Sequence, residues 1–85
     1  MSLSQQEINK SAITAAIIVN DQSDEILLDW MVQLRTEAQK QKFIGVVHAM
    51  LAGAVGKPLE DISREFVEDV VRRIERTLEL RFPAS

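Results

Sequence analysis

Apolar residues recur every three or four positions along most of this chain, a period that fits helices and little else. Ile8, Ala12, Ala15, Ala16 and Val19 share one helical face, and Leu27, Trp30, Met31, Leu34 and Ala38 share a second. Phe43, Val47, Met50, Leu51 and Ala54 form a third. The fourth set is the longest: Leu59, Ile62, Phe66, Val67, Val70, Val71, Ile74, Leu78 and Phe82. The β-branched run Ile17-Ile18-Val19 would also suit a strand, but no second strand is available to pair with it. The pattern predicts an all-α fold, a small bundle of three or four helices.

Capping chemistry sets the expected boundaries. Ser4 followed by Glu7 reads as a capping box and starts a helix at about 5–20. Asn20-Asp21-Gln22-Ser23 reads as a turn, because these side chains compete for backbone hydrogen bonds. Ser23 then caps a helix whose first turn carries Asp24 and Glu25, beside the positive end of the helix dipole. Within 24–55 the apolar stripe changes face after Ala38. At about 100° per residue the Phe43 set points roughly opposite to the Leu27 set. The link Gln39-Lys40-Gln41-Lys42 contains neither glycine nor proline. One long helix over 24–55 and a helix broken near 39–42 both fit. Gly53, Gly56 and Pro58 close this element, and the last helix is expected over 59–82, stopping before Pro83. Its outer face pairs Glu60 with Arg64, Glu68 with Arg72 and Asp69 with Arg73, each pair adding about 0.2–0.5 kcal/mol.

With 85 residues the chain is expected to form a single helical domain over 1–85. A domain of this size is stable by roughly 4–13 kcal/mol, and small helical proteins often extend such a core by oligomerising. The absence of cysteine removes disulfides, thiol chemistry and Cys-ligated zinc, and it fits a reducing compartment. A net charge of -3 argues against a free-standing nucleic-acid binder. The N-terminus lacks the basic-then-apolar pattern of a signal peptide. The longest apolar stretch, 43–56, falls short of the about 20 residues a membrane span needs. The expectation is a soluble cytoplasmic protein with neither membrane nor nucleic acid as a partner.

Few residues suggest chemistry. His48 is the sole histidine, and no His or carboxylate lies three or four residues from it on its own helix. Asp21, Asp24, Glu25 and Asp29 cluster locally. The glycine a calcium loop needs at its sixth position is replaced by Ile26, and helix capping accounts for the acids. Arg64, Arg72, Arg73, Arg76 and Arg81 alternate with Glu65, Glu68, Asp69, Glu75 and Glu79, the pattern of a solvated face. No catalytic residue, cofactor site or metal site is assigned, and the chain is expected not to be an enzyme.

The most informative group is Gly45, Ala49, Ala52, Gly53 and Gly56, opposite the bulky Phe43–Val47–Met50 face. A helix apolar all round is normally buried, and small residues let another backbone approach closely. Each glycine inside a helix costs about 1 kcal/mol relative to alanine, so the arrangement needs a reason. Leu28 and Val32 lie off the Leu27–Met31–Leu34 stripe and add a further apolar spot. The seven residues Leu28, Val32, Gly45, Ala49, Ala52, Gly53 and Gly56 form the candidate interface. The reading that follows is a non-catalytic interaction and oligomerisation module, a homodimer that binds a further protein. The alternative is a small apolar-ligand binder with a pocket lined by Trp30, Met31, Phe43, Met50 and Phe66. A regulatory DNA-associated protein rests only on Arg35, Lys40 and Lys42 brought together from two subunits.

Overall fold

A computed structural model describes residues 4–83. The expectation about the N-terminal segment therefore bears partly on residues 1–3, which lie outside those described. Four α-helices follow in order: α1 over Gln5–Asp21, α2 over Asp24–Gln33, α3 over Glu37–Val55 and α4 over Arg64–Arg81. A single 3-10 turn at Leu59–Asp61 separates the last two. There is no strand among the described residues.

All four helix starts obey one rule. A serine or threonine in extended conformation turns its hydroxyl onto an amide three residues ahead, where the first turn leaves donors without partners. Ser4 accepts from the Glu7 amide, Thr36 from the Gln39 amide and Ser63 from the Phe66 amide. Ser23 does the same more loosely, at 3.4 Å from the Ile26 amide.

The expected break near 39–42 is displaced. Gln39 to Lys42 lie inside α3, and the chain turns instead at Leu34–Thr36. Thr36 is the one residue between Leu34 and Phe43 with a short hydroxyl or carboxylate that can cap, so the break forms where the chemistry permits it. The turn answers the change of stripe seen in sequence. It lets Trp30 of α2 meet Phe43 of α3 edge to face, with ring centroids 5.1 Å apart. The last helix is also shorter than the expected 59–82. Ile62 and Ser63 are extended, and the Ser63 cap starts α4 five residues late.

The central helix is α4, which packs against α1 most extensively and also against α3 and α2. Val67, Val70, Val71 and Ile74 are fully enclosed. Ser11 of α1 meets Asp69 of α4, and Asp24, just past α1, meets Arg81 at 2.8 Å, so α1 and α4 run parallel. α3 leans on the other flank of α4, tied there by Lys40 to Glu75 at 2.8 Å. The expected outer-face pairing of α4 is corrected: Glu68 bonds Arg64 at 2.8 Å, and Asp69 lies on the inner side, 6% exposed. Asp69 still has Arg72 at 3.5 Å and Arg73 at 4.0 Å.

Candidate functional site

The α1–α4 interface holds the two polar residues that are buried among the described residues, Ser11 and Asp69. The single hydroxyl proton of Ser11 faces two acceptors, the Ile8 carbonyl oxygen at 2.8 Å and the Asp69 carboxylate. A hydrogen bond to a charged acceptor is about twice as strong as a neutral one, and it supplies part of what Asp69 loses by leaving water. Both groups are shut away from solvent, so the pair orders the helices and is inaccessible to a substrate. Sequence reading missed it. The available signal was Ser11 itself, three residues after Ile8 and four before Ala15, a polar residue inside an apolar stripe.

The candidate interface residues separate into three environments. Leu28 and Val32 stand half-exposed, one turn apart on α2. Gly45, Ala49 and Gly53 lie along the outer face of α3, together with the half-exposed Val46. A methyl group added at Gly45 or Gly53 would meet nothing within 4 Å, so no contact inside the chain requires either glycine. Ala52 belongs to a different surface: it is buried among the chain's own elements and cannot join the outer face. Gly56 has a local reason, since it ends α3 in the left-handed region at φ 67°.

His48 turns inward along the chain's own connection. Its Nε2 lies 2.8 Å from the carbonyl oxygen of Leu59, which ties the 3-10 turn back onto α3. Among the acids of the early cluster, Asp24 pairs with Arg81, and Asp29 accepts from Gln33 at 2.7 Å. Among the described residues no three His, Cys, Asp or Glu side chains converge in a way that could hold a metal. No described helix is long and apolar enough to cross a membrane.

The expected pocket dissolves into two places. Trp30 and Phe43 are core residues, packed against each other, with Met31 beside them. Met50 and Phe66 instead line an open groove of about 670 Å³ along the flank of α1. The groove exists because α1 and α3 both lean on α4 without packing closely on one another. Its floor is Ile18, Leu51, Ile62 and Phe66, and its lips are Ile17 and Val55. Glu7, Lys10, Asp21, Lys57 and Asp61 stand around the rim. On the helical wheel of α3, Met50 in the groove wall lies about 40–60° from Val46 and Gly53, so the groove borders the smooth outer face of α3 along one edge. No protein-family model, curated protein or solved structure matches this chain.

Proposed function

We propose that this chain is a non-catalytic helical interaction module that works as a homodimer and presents its remaining faces to a further protein. The observation that carries the reading is exposed apolar surface: Ile13, Ile17, Leu28, Val32, Val46 and Val55 are all large, apolar and about half-exposed or more. Apolar exposure beyond isolated residues is a feature of interaction sites. Sedimentation velocity of the full chain from about 1 to 100 µM tests the proposal. A concentration-dependent shift to twice the monomer mass is expected, and a single monomeric species over that range would overturn it.

The groove favours a second reading, a site for a small apolar ligand. Its volume of about 670 Å³ lies inside the range of small-molecule sites, roughly 300–1,000 Å³, and its floor is apolar. Native mass spectrometry of freshly purified protein distinguishes the two readings. A retained mass of a few hundred daltons on the monomer supports the ligand site, and a bare dimer removes it.

A further inference from the structure

We propose that the occupant of the groove is a second copy of this chain, docked about a two-fold axis so that the Ile13–Ile17 ridge of each copy enters the groove of the other. This rests on the self-association reading above and assigns it to one face.

A two-fold contact places one patch against itself, so the patch must be complementary to itself in shape and in charge. The flank of α1 meets both conditions. Ile13 and Ile17 stand one turn apart, 63% and 56% exposed, and Ile17 is also the lip of the groove. A convex apolar ridge therefore runs beside a concave apolar floor, and one rotation sets each ridge over the opposite floor. The length agrees as well. The groove follows α1 from Glu7 to Gln22, a rise of roughly 22 Å, which is the span of an α1-sized helix.

The rim supplies both signs of charge. Lys10 and Lys57 face Glu7, Asp21 and Asp61, and none of the five takes part in an ion pair among the described residues. On α4 most charges are paired within the chain, namely Arg64, Glu68, Asp69, Arg72, Arg73, Glu75 and Arg81, while Arg76 and Glu79 form no ion pair among the described residues. A two-fold rotation brings lysines of one rim to carboxylates of the other, which fixes register and discourages misaligned docking. The smooth face of α3 offers no comparable charge arrangement: among its exposed residues Lys42 alone is ionic.

The test is sedimentation equilibrium on the full chain and on three variants, with circular dichroism as the folding control. Ile17→Glu and Val55→Glu place a carboxylate at the groove lips, where the exposed side chains leave the fold intact. Ala49→Glu places the same charge on the outer face of α3. The expected result is a wild-type dimer whose dissociation constant rises roughly tenfold or more in both lip variants, a change of about 1.4 kcal/mol. Ala49→Glu is expected to stay within about twofold of wild type, a change too small to mark a contact residue. A dimer weakened by Ala49→Glu as much as by Ile17→Glu, or insensitive to both lip variants, overturns the groove assignment and leaves self-association standing. A wild-type monomer overturns both. Should a lip variant lose helicity, the charge-reversed Lys10→Glu/Lys57→Glu double variant replaces it: weakened dimerisation supports the assignment and unchanged dimerisation refutes it.

Discussion

Replacing Ser11 with alanine removes one oxygen atom from the core and puts the α1–α4 interface to a quantitative test. Ser11 is fully buried and bonds to Asp69, itself 6% exposed, whose other partners are Arg72 at 3.5 Å and Arg73 at 4.0 Å. A hydrogen bond to a charged group contributes about 1.5–3 kcal/mol, and its loss leaves the buried carboxylate with one long hydrogen bond from Arg72 and the Arg73 guanidinium farther off. Alanine returns about 0.5 kcal/mol through its better helix propensity. The net cost of Ser11→Ala is therefore about 1–2.5 kcal/mol. In a domain of this size each kcal/mol moves the melting temperature by about 4–8 °C, so the variant should melt roughly 5–15 °C lower. Thr14→Ala is the control, because the Thr14 hydroxyl bonds only to the Lys10 carbonyl of its own helix at 2.8 Å. It should stay within about 0.5 kcal/mol of wild type. A double-mutant cycle with Asp69→Ala isolates the pair, with an expected coupling of about 1 kcal/mol or more. Ser11→Ala melting alongside Thr14→Ala, or a coupling below about 0.5 kcal/mol, would refute the argument that this buried pair stabilises the fold.

Thr36→Ala should lower stability by about 1 kcal/mol in urea unfolding, because it strips the cap that separates α2 from α3. Gly45→Ala should raise stability by about 0.8–1.0 kcal/mol, since the added methyl meets no atom of the chain and only helix propensity changes. Gly56→Ala should do the opposite and cost about 1 kcal/mol, because φ 67° brings a Cβ against the following carbonyl. His48→Ala should cost about 1 kcal/mol by releasing the Leu59 carbonyl. Faster amide hydrogen exchange confined to residues 56–63 is the expected signature, and unchanged exchange there would deny His48 its anchoring role.

The caps show how local chemistry was readable. Ser4 and Ser23 stand next to apolar stripes, and a hydroxyl at that position has one dominant use, so both starts emerge from sequence alone. Thr36 and Ser63 carry the same chemistry but sit inside stretches with good helix propensity. Propensity there favours continuation, and packing overrules it: a straight helix over 24–55 would turn either Trp30 or Phe43 away from the core. Asp69 was misplaced for a related reason. Its spacing to Arg73 suits a surface pair equally well, and only the position of Ser11 on another helix makes the inner side tolerable. Of the small residues grouped on the third helix, Gly45, Ala49 and Gly53 do face outward, whereas Ala52 is covered and Gly56 serves the helix end.

The helical period determined by itself that this chain folds as helices and how many apolar faces it carries, because periodicity is a property of neighbours three and four residues apart. Which helix becomes central, where the long middle segment breaks and whether a face is covered depend on residues tens of positions apart. That α4 occupies the middle, with α1 and α3 resting on it and a groove between them, follows from those distant contacts. Burial is the cause. A stripe in sequence records that a face is apolar, and what covers that face is settled by packing among all the helices at once.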